Sequence, residues 1–168
     1  MILSEKMNPL NIKPERFLVA EEEEEEEEGG GGGGEGGTKG EEKRKKVVAF
    51  GQLAELEPGR LFELRSLVTV PERRGQGIGA EIVRGLLEEA AASAKKEKKE
   101  EKEDRGESGA AEVVLTTISR RRAFYLRAGF EEVPSTLVPR QLKLEVALGS
   151  VVAKLAVGDS LIVLRKKV

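Results

Sequence analysis

Glycines at positions 75, 77 and 79, directly behind Arg73 and Arg74 and at the mouth of a helical pattern, are the residues of this chain best suited to hold an anion. A helix start offers unsatisfied backbone N–H groups and the positive end of the macrodipole. Glycine there lets a phosphate reach the backbone with no side chain in the way. A diphosphate is the expected guest, and Arg73 or Arg74 can add a charge-assisted contact. The rest of the inventory is narrow, because the chain has no cysteine and no histidine. That removes thiolate nucleophiles, disulfides, the usual zinc ligands and the commonest general base, and no metal site is expected. Proton transfer is left to carboxylates and to Tyr125, the one tyrosine, whose phenol, with an ordinary pKa near 10, stays protonated at neutral pH.

The elements around the glycines can be read from periodicity. Phe62, Leu64, Ser66, Val68 and Val70 alternate with Glu63, Arg65, Leu67 and Thr69, the period of a strand buried on at least one face. Pro71 ends it. After Gly79 the spacing turns helical, with Ile82, Val83, Leu86, Leu87, Ala90, Ala91 and Ala94 on one side and Glu81, Arg84, Glu88 and Glu89 opposite. The unit is therefore strand, glycine loop, helix. GQGIGA also fits the dinucleotide pattern G-x-G-x-x-A through Gly75, Gly77 and Ala80. Against that reading, PERR separates the first glycine from the strand, and the next strand ends in Thr116-Thr117 rather than an acid.

R-x-x-G-x-G, formed by Arg74, Gly77 and Gly79 after a hydrophobic strand, resembles the acetyl-CoA signature of the GNAT acetyltransferase superfamily. AFYLRAGF, Ala123 to Phe130, looks like the second family motif, with EVVLTT as the strand between them. The resemblance covers roughly residues 47 to 133 and implies a mixed, mostly antiparallel α/β sheet flanked by helices, with acetyl-CoA as co-substrate. It implies that backbone groups around Val68, Thr69 and Val70 pair with the pantetheine arm, and that Arg74, Gly75, Gln76, Gly77, Ile78, Gly79 and Ala80 form the diphosphate loop. Tyr125 stands where the family places its general acid, facing the sulfur; the competing reading is an aromatic packed beside Phe124 and Phe130. Glu63 matches a position where the amino-acid-acetylating branch has a glutamate base, and a solvated surface glutamate is the alternative. The oxyanion would meet a backbone N–H near Val68, where family strands splay apart. With no thiol available, direct attack in a ternary complex is the expected route.

The rest of the chain reads as scaffold and insertion. Phe17 to Ala20 and Val47 to Leu56 are strands, Pro58-Gly59 a turn and Val113 to Thr117 a strand. Ser119 is a suitable N-cap for a helix from Arg120 to Ala128 that Gly129 ends. Phe130 to Val133 is a short strand, Arg140 to Val157 a helix and Ser160 to Arg165 the last strand. Arg120, Arg121 and Arg122 stand in a first helical turn, where positive charge opposes the dipole. Either they form a solvated face or they meet a cofactor phosphate or an acceptor carboxylate. Residues 21–46, a Glu run followed by Gly, are expected to be a disordered insertion between two antiparallel strands. Residues 95–109 read as a charged linker or a helix extension.

The whole is one acetyltransferase-like domain over 1–168, shortened at its amino end relative to the family. Charged residues make up 36% of the chain while the net charge is only −2, so a nucleic-acid partner is not expected. No segment reaches membrane-spanning length and no signal peptide is apparent, so a soluble, intracellular and cytoplasmic protein is the default. The implied acceptor is a primary amine on a small molecule such as an amino acid. A protein lysine or amino terminus, and a non-catalytic acyl-CoA-binding module, are the alternatives. Pairing into a homodimer stays open.

Overall fold

The computed structural model describes residues 17–23, 45–100 (backbone alone for 98–100), 110–134, 137–140, 142–143 and 158–168. In chain order these form β1 (Phe17–Glu23), β2 (Lys45–Glu57), β3 (Leu61–Thr69), α1 (Ile78–Glu100), β4 (Glu112–Ile118), α2 (Arg122–Arg127), β5 (Glu131–Glu132) and β6 (Leu161–Lys167). A single 3-10 turn, Ser119–Arg121, leads into α2. One six-stranded sheet has the order β1-β2-β3-β4-β6-β5. Every neighbouring pair is antiparallel except β3 and β4, which run parallel. This is the mixed, mostly antiparallel α/β architecture expected from the sequence.

The apolar stripe of α1 lies on one face of the sheet. Ile82, Val83, Leu86, Ala90 and Ala94 pack with Phe62, Leu64, Val113 and Leu115, and Tyr125 and Phe130 close the cluster. Full burial of a side chain such as Leu86 contributes about 1.5–3 kcal/mol. Two glycines let the layers approach. A Cβ at Gly51 would meet Ile82 at 2.7 Å, and one at Gly85 would meet Leu18 at 2.5 Å, so α1 can rest directly on β2 and β1. Leu61, Val114, Val133, Val138, Leu142 and Val163 make a second cluster. Because successive strand residues face opposite ways, Leu61 and Val114 place it on the other side of the sheet from α1.

The alternation expected from Phe62 to Val70 does not run unbroken. Phe50 pairs with Val68 but Gln52 pairs with Arg65, so Ser66 and Leu67 together oppose Gly51. Ser66 holds φ 54°, a left-handed conformation that a serine adopts only at some cost. This β-bulge inverts the phase of the strand. Leu67 therefore joins Phe62 and Leu64 on the α1 side, and Thr69 faces Gly79 of that helix. Pairing between β3 and β4 stops at Glu63–Val114, so the two strands diverge just before the bulge.

Other boundaries shift for local reasons. Glu21 to Glu23 continue β1 and pair with Lys45 to Val47, opposite charges lying across the ladder at Glu22–Lys46 and Glu23–Lys45. The expected insertion thus loses its ends to the sheet, and 24–44 lie outside the described residues. Helix α1 runs to Glu100, the extension reading of the charged stretch, while 101–109 lie outside the described residues. Of the expected helix from 140 to 157, residues 140, 142 and 143 are helical and 141 and 144–157 lie outside the described residues.

Candidate active site

The glycine loop forms because β3 ends at Thr69 and Pro71 opens a 3-10 turn through Arg73. Gly75 and Gly77 then take φ values of 80° and 86°, which glycine adopts without the penalty that a Cβ brings. The first α1 bonds run from the Ala80 and Glu81 amides to the Gly77 carbonyl, which leaves the amides of residues 75–79 ahead of the helical ladder. A Cβ on Gly75 or Gly77 would meet nothing within 4 Å, so the space over the loop is open. Gly79 serves differently. Its would-be Cβ lies 3.3 Å from Thr69 Oγ1 and 3.8 Å from Phe124 Cζ, so the first turns of α1 and α2 converge there.

Between α1 and α2, over the end of β3 and the last residues of β6, runs a groove of about 1170 Å³. Val68, Thr69, Arg74, Gly75, Gly77, Ile78, Gly79, Ala80 and Tyr125, all singled out from the sequence, line it. Along β3 the residues after Glu63 have no ladder partner on the β4 side, so backbone groups that point there are open to an extended ligand. Val70 departs from expectation. Its N–H donates to the Val48 carbonyl (2.9 Å) and its own carbonyl accepts from Arg73 N–H (3.0 Å), so both backbone groups are already committed. Gln76 also lies outside the lining, its side-chain amide donating to the Glu72 carbonyl at 3.3 Å.

Neither loop arginine stands isolated. Arg73 Nε and Nη2 donate to the Glu22 carboxylate at 2.9 and 2.8 Å, which ties β1 to the loop. Arg74 Nε donates to the Thr69 carbonyl at 3.0 Å.

Tyr125 is held by both a helix and its aromatic neighbours. Its ring meets Phe124 at 4.9 Å and Phe130 at 5.9 Å, both near perpendicular, the favoured edge-to-face arrangement. Burial pushes the phenol above its ordinary value of 10.0, and the Arg121 guanidinium pulls it part of the way back. Tyr125 is thus packed in the core cluster beside Phe130 and also lines the groove.

Glu63 is only 2% exposed and does not line the groove. It faces away from α1, at the last paired position before β3 and β4 part, and accepts from Arg65 Nε at 2.6 Å. A solvated surface glutamate is not what the structure contains.

The expected Ser119 cap is replaced. Ser119 Oγ donates to the Asp159 carboxylate, which also accepts from the backbone N–H groups of Arg120 (3.3 Å) and Ser160 (2.7 Å). Asp159, from the turn before β6, thus anchors the start of the segment that carries Tyr125. The Ser119 hydroxyl and these donors hold its carboxyl below the ordinary value of 3.8. In the sequence Asp159 reads as a turn residue beside Gly158, and nothing local assigns it to a helix start forty positions earlier.

The acetyltransferase (GNAT) domain family matches residues 13–132. None of the curated proteins matches the chain in sequence. Among solved structures, N-acetylglutamate synthase from Neisseria gonorrhoeae, complexed with coenzyme A and N-acetyl-glutamate, is similar with TM-score 0.52 at 10% identity. That similarity covers 72% of this chain but 23% of the Neisseria protein, so the chain spans about a quarter of that relative's length. Rv2747 from Mycobacterium tuberculosis, in complex with CoA, gives TM-score 0.49 at 24% identity, covering 88% of this chain and 74% of that one. An aminoglycoside 6'-N-acetyltransferase complexed with coenzyme A gives 0.48 at 16%, covering 73% and 67%.

Proposed function

The chain belongs to the GNAT acetyltransferase family, and from that premise we propose that it moves an acetyl group from acetyl-CoA to a primary amine by direct attack in a ternary complex. The observation that carries this reading is the convergence of the glycine loop and Tyr125 on one groove. The diphosphate sits on the amides of residues 75–79, and the pantetheine arm lies along the unpaired side of β3 at Val68 and Thr69. Its thioester then reaches the gap between β3 and β4 beside the phenol.

In the reaction the amine nitrogen attacks the thioester carbonyl carbon, and a backbone N–H of β3 near Val68 stabilises the oxyanion. Collapse breaks the C–S bond, and Tyr125 O–H gives its proton to the departing thiolate. The proton lost by the amine passes to Glu63 through water. Its place at the vertex of the diverging strands supports that role, with the acceptor arriving from the sheet face opposite α1. The acceptor is a small-molecule amine, an amino acid being the first candidate.

Steady-state thiol release measured with a panel of amino acids, small amines and lysine peptides tests the proposal. Turnover with a small amine supports it; coenzyme binding with no thiol release from any acceptor would count against it. That outcome favours a non-catalytic acyl-CoA-binding module, a reading to which the ion pairing of Glu63 with Arg65, outside the groove, lends support.

A further inference from the structure

Three consecutive arginines stand at the start of the α2 segment, and the structure separates them. Arg120 Nε lies 3.3 Å from Asp159 Oδ2 and Arg122 Nε 2.7 Å from Glu132 Oε2, so both are held by carboxylates. Arg121 makes no ion pair among the described residues, is exposed, and is the one of the three that lines the groove. Of the other arginines at the glycine loop and the first turns of α1, Arg74 donates to the Thr69 carbonyl and two are held by carboxylates. Arg73 is bound to Glu22, and Arg84 is bound to Glu81 and Glu88.

Arg121 is also well placed. Phe124, one helical turn further on, approaches Gly79, so the start of α2 stands beside the start of α1 and its glycine loop. The effect of its guanidinium on the Tyr125 phenol agrees with a charge directed into the groove.

We infer that Arg121 binds a second phosphate of the coenzyme, the 3′-phosphomonoester of its ribose, across the groove from the glycine loop. The inference rests on the coenzyme reading above. In coenzyme A a single ribose carries the 5′-diphosphate and the 3′-phosphate, so the two anions sit one sugar apart. A diphosphate on the loop therefore sets the second phosphate within reach of a long side chain at the facing helix start. Arg121 can offer that phosphate two parallel N–H donors.

The test is the affinity of the full chain for coenzyme A and for dephospho-coenzyme A, which lacks only this phosphate, measured by calorimetry on wild type, Arg121→Gln and Arg121→Lys. Wild type should prefer coenzyme A by about 10- to 100-fold. Arg121→Gln should bind both ligands equally, with the wild-type affinity for the dephospho form. Arg121→Lys should restore part of the preference. Equal weakening towards both ligands in Arg121→Gln would overturn the inference, placing Arg121 on the diphosphate or in the fold of α2. Wild type binding both ligands alike would overturn it while leaving the coenzyme reading intact, whereas wild type binding neither would remove both.

Discussion

In the proposed mechanism Tyr125 is the acid, and a phenol serves at neutral pH only if it keeps its proton until a thiolate appears. Desolvation between Phe124 and Phe130 raises its pKa, and Arg121 moderates the rise. Replacement Tyr125→Phe should keep the packing and lower kcat by about 100-fold, with coenzyme affinity unchanged in a direct binding measurement. The wild-type rate should fall above pH 10, as the phenol ionises.

Asp159 gives a second pH signature. Its carboxyl is lowered in the folded state, so its stabilising effect is complete above its ordinary value of 3.8 and is lost as pH falls through the folded value. Melting curves of wild type and Asp159→Asn should therefore differ at neutral pH and converge in strong acid.

At the level of elements, the strand–loop–helix unit is marked out by its backbone geometry. Gly77 holds φ 86° over open space, so Gly77→Ala meets no steric wall yet strains the backbone by about 1–2 kcal/mol. It should weaken coenzyme binding in calorimetry while circular dichroism shows the fold retained.

This unit was legible in the sequence because hydrophobic period and glycine spacing are local signals. The bulge at Ser66 was not, since a single-residue change of phase leaves no compositional mark and serine has no special claim to the left-handed region. Asp159 leaves no local signal of its role, because capping from the turn before β6 depends on tertiary contact. The arginine triplet stayed ambiguous for the same reason: Asp159 and Glu132, remote in sequence, decide which side chain is left to the groove. Glu63 was placed on the right strand, but its partner Arg65 and its burial come from packing that periodicity does not encode.

For the molecule as a whole, charge is sorted rather than scarce. A net charge of −2 coexists with a groove in which Arg73, Arg74, Arg84, Arg121, Arg127, Lys166 and Lys167 outnumber the carboxylates Glu81 and Glu88, a balance that favours a polyphosphate. Glu81 and Glu88 are both held by Arg84, and Glu22 of β1 is held by Arg73.

The join between β1 and β2 is equally informative. Glu23 and Lys45 face each other in register, so the sheet needs only a short connection there. Replacing residues 24–44 with an Asn-Gly turn should preserve the fold and leave the melting temperature unchanged or slightly higher, because closing a shorter loop costs less entropy. Differential scanning calorimetry of the shortened chain measures this. A large drop would mean that the excised residues pack against the domain.

That hairpin has a practical use as well. Its open end is tied to the glycine loop by the Glu22–Arg73 bridge. A fluorophore or small reporter domain grafted between Glu23 and Lys45 would hang beside the glycine loop, where the proposed function places the coenzyme. Occupancy of the groove could then be followed as an optical signal from the scaffold itself.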